Sequence, residues 1–312
     1  MKILFLDAKT VGDVSLRGIE RFGELEVFET TKLSQTKTRV KNADIIITNK
    51  VLIDREIMQN SPKLKLICVA ATGMNNIDLE SAKEFGIEVK NVSGYSTNSV
   101  VQHTFSMLFY LIGSSCYYDS YVKSKEWSQS EIFTHLDKPF FEISGKKWGI
   151  IGLGSIGRAV AKVASSFGAD VSYYSTNKTP HSKEYPHKSL DELLKESDII
   201  SIHSPLNQNT KNLISEDELN LLKNRAVLLN LGRGGIIDED ALAKKIDSSD
   251  ILVGLDVTSK EPLPANSPLL NIKNKNQLFI TPHIAWASIE ARERLVDGIA
   301  KNIEEFLENR EV

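Results

Sequence analysis

Gly152, Gly154 and Gly157 stand between two apolar runs, and that arrangement constrains this chain more than any other stretch. Residues 147–151 read as a short buried strand, and 156–167 as a helix with an alanine-rich face. Strand, G-x-G-x-x-G, helix is the dinucleotide-binding arrangement of a doubly wound sheet. Gly152 permits the tight turn, Gly154 lets a pyrophosphate approach the backbone, and Gly157 lets the helix pack closely on the strand. Ser155 and Ile156 then open the helix, whose first N–H groups and positive dipole end face the phosphates. A glycine triplet alone also serves ordinary turns. The strand before this one and the helix after it distinguish it.

Around that motif the chain alternates short strands with helices. Strands are predicted at 2–6, 25–28, 44–48, 65–70 and 87–91, with helical stretches between several of them, such as 79–85. A long helix is predicted from 99 to 118, then a loop and arm over 121–144. Six more strands follow at 147–151, 170–174, 198–203, 226–231, 251–256 and 278–281. The fold class is α/β with two doubly wound parallel sheets. One is a Rossmann cofactor domain over 99–284. The other is a discontinuous, flavodoxin-like substrate domain over 1–98 and 285–312. The last helix, 289–307, has Leu295, Ile299, Ile303 and Phe306 at helical spacing and is expected to return to the first domain. A ligand cleft between the domains follows.

Composition narrows the partners. A net charge of −3 gives no electrostatic case for nucleic acid or an anionic membrane. The two cysteines, Cys68 and Cys116, lie in apolar surroundings and read as buried free thiols, not a disulfide or a metal site. The apolar N-terminal run is too short for a signal peptide, so the cytoplasm is the default. Residues 91–118 carry no Asp, Glu, Lys or Arg. Ser99, Gln102, His103 and Thr104 interrupt them, which favours a helix buried between domains or subunits over a membrane span. That helix and the aromatic arm, with Trp127, Phe133, Phe140 and Phe141, suggest a homodimer. The alternative is that these rings close the monomer core.

Three segments at successive strand ends carry candidate chemistry. The first is Asn230-Leu231-Gly232-Arg233-Gly234-Gly235, a glycine-rich turn holding an arginine that can fork onto a carboxylate or carbonyl. The second runs from Asp256 to Glu261-Pro262, and the third is Thr281-Pro282-His283. Each residue alone has a bland reading as a surface or loop side chain. Together they suit a carbonyl/alcohol redox site in which a nicotinamide exchanges hydride and His283 exchanges the proton. Arg233 would hold an anionic substrate, and Glu261 would orient His283 and favour its imidazolium form.

On these motifs the chain resembles the D-isomer-specific 2-hydroxyacid dehydrogenase family over nearly its whole length. The resemblance implies catalytic roles for Arg233, Glu261 and His283, with Arg233 and His283 also touching substrate. It implies cofactor contacts from Gly152–Gly157, Ser204-Pro205, Thr210, Leu231, Gly232 and Asp256, the last on the nicotinamide side. Ala71-Thr72-Gly73 resembles the loop whose N–H groups receive the substrate carboxylate, so Thr72 and Gly73 are expected substrate contacts. Residues 71–78, 94–98 and 283–288 look most like the glycerate dehydrogenase (hydroxypyruvate reductase) group. That implies a small 2-oxo/2-hydroxy acid substrate.

Two positions depart from the family pattern. Gln102 stands where glutamate is common, and the adjacent His103 reads as a packing or cofactor-side residue. Ser175 stands where an acid often binds the adenosine ribose, followed by Thr176, Asn177 and Lys178. Without that carboxylate a 2′-phosphate is not repelled, and these four residues could donate to one. No arginine stands nearby, so NAD(H) and NADP(H) both stay open, with a lean towards NADP(H). A family member acting on formate or phosphite, or a non-catalytic NAD(H)-sensing protein, would share the fold. An intact Arg233, Glu261 and His283 argues against a pure binding module.

Overall fold

The computed structural model describes residues 1–177 and 179–309. Its first unit comprises 1–96 and 286–312. Strands β1 (Lys2–Phe5), β2 (Glu24–Val27), β3 (Ile45–Thr48), β4 (Leu66–Val69) and β5 (Glu88–Asn91) form one sheet in the order β2-β1-β3-β4-β5. Every pairing is parallel. The order reverses at β1, the flavodoxin-like arrangement. Because both faces are covered, the central strands are apolar throughout and side chains alternate between two cores. Ile45, Ile47, Leu66 and Cys68 enter one, and Ile46, Ile67 and Val69 enter the other. The first core is closed by the Ile289–Glu308 helix through Leu295, Val296, Ile299, Ile303 and Phe306.

The second unit is 97–285. Strands β6 (Lys147–Ile151), β7 (Asp170–Tyr174), β8 (Ile199–Ile202), β9 (Val227–Asn230), β10 (Leu252–Leu255) and β11 (Leu278–Ile280) form a second parallel sheet, ordered β11-β10-β9-β8-β6-β7. Its order reverses at β6, so the crevice at a doubly wound sheet's switch point opens beside the glycine loop that follows this strand. Ile151, Ile200 and Leu228 face one core, and Ile150, Ile199 and Leu229 the other. The buried Trp148 donates its indole N–H to Ser201 Oγ at 2.9 Å, so its one polar atom is satisfied.

Three expectations change. The helix predicted over 99–118 is two helices, Thr97–Gly113 and Ser115–Lys123. They break at Ser114, which has φ +50°, inside a Gly-Ser-Ser run whose residues are poor helix formers. Cys116 is exposed rather than buried, because it falls on the second helix, which buries no residue. Cys68 is buried, and that burial pushes its thiol up to about 12. The aromatic arm divides: Phe141 packs against the second unit's core, whereas Trp127, Phe133 and Phe140 are exposed. Among the described residues no helix is long and apolar enough to cross a membrane.

Candidate active site

The glycine loop has the shape of a phosphate cradle. Gly152 has φ +92°, a left-handed turn straight off β6. Gly154 caps the Ser155–Ser166 helix and has no side chain to satisfy that helix's first N–H groups. A Cβ on Gly154 would meet nothing within 4 Å, so the space over the loop is open. A Cβ on Gly157 would instead lie 2.2 Å from the Gly152 carbonyl oxygen, so only glycine lets the helix sit this close. Beside the loop, Ser204 Oγ and both ring nitrogens of His203 are buried with no hydrogen-bond partner among the described residues. Burial pushes His203 down to about 3, which keeps the ring neutral. An open cradle of N–H groups next to orphaned polar atoms suits a dinucleotide.

At the end of β7 the expected ribose-side residues separate. Ser175 is buried. Thr176 and Asn177 line a cleft of about 790 Å³, together with Tyr174, His187, Asn209 and Leu213. Lys178 lies outside the described residues. Thr210 is fully buried, and its hydroxyl donates to the Pro205 carbonyl at 2.7 Å and accepts from the Asn207 N–H at 2.8 Å. That side chain braces the loop after β8.

Arg233, Glu261 and His283 all fall in the 97–285 unit, just past the ends of β9, β10 and β11. The Arg233 turn is clasped by buried Asn230. Its Oδ1 accepts the Gly232 N–H at 3.0 Å, and its Nδ2 donates to the Arg233 carbonyl at 2.9 Å. A Cβ on Gly234 would lie 1.9 Å from the Thr258 carbonyl oxygen, so this turn presses against the chain leaving β10. There Glu261 Oε1 accepts the Thr258 N–H at 3.1 Å, and Glu261 Oε2 meets His283 Nδ1 at 2.7 Å. His283 itself has φ +55° and a side chain about a quarter exposed. Asp256 is buried beneath it. Its Oδ1 accepts from Thr281 Oγ1 at 2.6 Å and the Ile284 N–H at 2.8 Å, its Oδ2 accepts the Ala285 N–H at 2.9 Å, and its carbonyl accepts the His283 N–H at 2.8 Å. With its side chain 1% exposed, Asp256 spends these acceptor positions on the turn around His283.

Thr72 and Gly73 lie in the other unit, on the loop after β4. Thr72 Oγ1 donates to the Val92 carbonyl at 3.2 Å, and the Thr72 carbonyl accepts from Asn91 Nδ2 at 2.6 Å. Asn230 and Thr281 organise this site although the sequence offered no reason to single them out. The only signal available was their place at or just beyond strand ends.

The pattern of the D-isomer specific 2-hydroxyacid dehydrogenase NAD-binding domain matches residues 105–285. Hydroxypyruvate reductase of Blautia hydrogenotrophica is 36% identical, covering 100% of this chain and 98% of that protein. The chain belongs to the D-isomer specific 2-hydroxyacid dehydrogenase family. Among solved structures, D-lactate dehydrogenase of Aquifex aeolicus, complexed with NAD and lactic acid, superposes with a TM-score of 0.83 at 28% identity. The match covers 98% of this chain and 96% of that one. An acyclic imino acid reductase in complex with NADPH and D-Arg gives 0.84 at 31% identity, covering 99% and 98%.

The two glycines of this NAD(P)-dependent enzyme make separable demands. Gly157→Ala must displace backbone and is expected to cost about 1–3 kcal/mol of stability in urea denaturation. Gly154→Ala adds a methyl into open space and should stay within about 1 kcal/mol of the parent. The same methyl fills the cradle, so it should weaken cofactor binding about tenfold in a fluorescence titration. Equal loss of stability in both variants would contradict the open space over Gly154.

Proposed function

We propose that this enzyme reversibly reduces a small 2-oxo acid, such as hydroxypyruvate or glyoxylate, to the D-2-hydroxy acid with NADH or NADPH. The observation that carries the reading is the 2.7 Å contact between His283 Nδ1 and Glu261 Oε2, beside the Arg233 turn. The nicotinamide supplies the hydride. With Nδ1 held by the carboxylate, Nε2 is the nitrogen left to give a proton to the carbonyl oxygen and to take it back in the oxidative direction. Arg233 offers a planar fork to the anionic substrate. Family membership and the hydroxypyruvate reductase relative support the substrate class.

His283→Ala should lower kcat for oxo-acid reduction by about 10²–10⁴-fold with cofactor binding intact. Arg233→Lys keeps the charge but loses the fork, and should reduce kcat/KM for the oxo acid. Glu261→Gln removes the carboxylate that holds Nδ1 and should lower kcat with the cofactor Kd unchanged. A His283→Ala enzyme with near-native kcat, or a Glu261→Gln enzyme with unchanged kcat, would refute these roles. A panel of hydroxypyruvate, glyoxylate, pyruvate, formate and phosphite tests the substrate class itself.

Both cofactors fit a β7 end that carries no acid among Ser175, Thr176 and Asn177. Measurable turnover with NADPH is expected. Thr176→Asp places a carboxylate on the cleft lining and should raise KM for NADPH more than for NADH, because the 2′-phosphate contacts are uniform binding. An enzyme with no NADPH turnover at saturation would overturn this.

A homodimer is the proposed assembly. The arm folds back on the Ser115–Lys123 helix, with His135 stacked on Tyr121 at 3.8 Å between ring centroids. It leaves Ile132, Phe133, Leu136 and Phe140 between 63% and 88% exposed, apolar surface of the kind that marks an interface. Sedimentation velocity should find the parent dimeric and a Phe133→Glu, Leu136→Glu double variant monomeric. A monomeric parent would sink the assignment.

A further inference from the structure

Ser99, His103, Met107 and Leu111 recur at four-residue spacing on the Thr97–Gly113 helix and share one face. The two apolar members lie over β10, where a Cβ on Gly254 would come within 3.4 Å of both. The two polar members reach the loop that carries His283. Ser99 Oγ donates to the Ala285 carbonyl at 2.6 Å, and His103 Nε2 lies 3.0 Å from Thr281 Oγ1. Thr281 and Asp256 each stand one residue beyond the paired Ile280 and Leu255, so register alone brings them together.

The hydrogen bonds in this cluster have a fixed direction. A carboxylate only accepts, so the Thr281 hydroxyl proton is directed at Asp256 Oδ1, 2.6 Å away. Thr281 therefore has only lone pairs to offer His103, and the proton on that imidazole must sit on Nε2. Burial pulls His103 below its ordinary value, while the Asp256 charge, 3.7 Å away, pulls the other way. The net shift is downward, so the ring is neutral and its contact is a hydrogen bond, not an ion pair.

We propose that Ser99, His103 and Thr281 are positioning residues that hold the 281–285 loop at both ends. They act through the directed chain His103 Nε2–H to Thr281 Oγ–H to Asp256. What the chain maintains is the left-handed backbone of His283 and its contact with Glu261. This rests on the reading of His283 as the acid–base group. A polar side chain that merely fills space would need neither a fixed tautomer nor a donor at Nε2, and that difference is measurable.

Imidazole ¹⁵N–¹H spectra of the parent at neutral pH, with His103 assigned by its loss in His103→Gln, should show a neutral Nε2–H tautomer. An Nδ1–H tautomer or a charged ring overturns the chain, with no variant required to fold and no catalysis involved. In kinetics, His103→Leu should lower kcat about tenfold through misplacement of His283. The cofactor Kd measured by fluorescence should be little changed. His103→Gln keeps an N–H donor and should restore most of the loss. If Gln and Leu behave alike, or if Leu lowers only the melting temperature, the positioning role is wrong. A His283→Ala variant that keeps kcat overturns the acid–base reading and the positioning role with it, whereas a wrong tautomer beside an inactive His283→Ala variant overturns this proposal alone.

Discussion

Much of the 97–285 unit's candidate site depends on what the buried carboxylate of Asp256 accepts. Two backbone N–H groups and one hydroxyl converge on its side chain, and its carbonyl takes the His283 N–H. His283 lies at φ +55°, a region that costs a non-glycine residue on the order of 1 kcal/mol or more and persists only where its surroundings over-determine it. Four hydrogen bonds to one residue supply that constraint. Charge-assisted bonds of this kind contribute more than neutral ones, and burial keeps water from competing for them.

The glycines around the site follow from the same crowding. The Arg233 turn lies between the chain leaving β8 and the chain leaving β10, with the Gly232 and Gly234 backbones against Ser204 and Thr258. Side chains there would push the strand ends apart. Small residues in the turn and one long residue at its tip are therefore parts of a single solution: the backbone packs, and the Arg233 guanidinium turns back to donate to the Gly232 carbonyl at 2.7 Å. The phosphate cradle divides the labour in the same way, Gly157 serving the packing and Gly154 the open space.

The central strands were legible because a parallel strand covered on both faces is a continuous apolar run, and β-branched runs such as Ile45-Ile46-Ile47 favour a strand. Arg233, Glu261 and His283 were legible as charged or titratable residues just past such runs. The helix break at Ser114 was not, because no charged residue interrupts 91–118 and only backbone preference marks the end. The exposure of Cys116 was lost with it, since the face a residue presents depends on where its helix starts.

His103 was harder to read for a different reason. Its partner is 178 residues away, and neither end of the contact carries a net charge. Nothing local distinguishes a histidine in such a chain from one that fills space. The four-residue ladder Ser99, His103, Met107, Leu111 was nonetheless present in the sequence, and its polar half lies towards the helix N-terminus. Once β10 and β11 are paired in register, that half can meet only the strand ends, where the polar backbone of the His283 loop needs partners. An amphipathic helix whose buried face turns from apolar to polar along its length therefore marks which end of the sheet carries the chemistry.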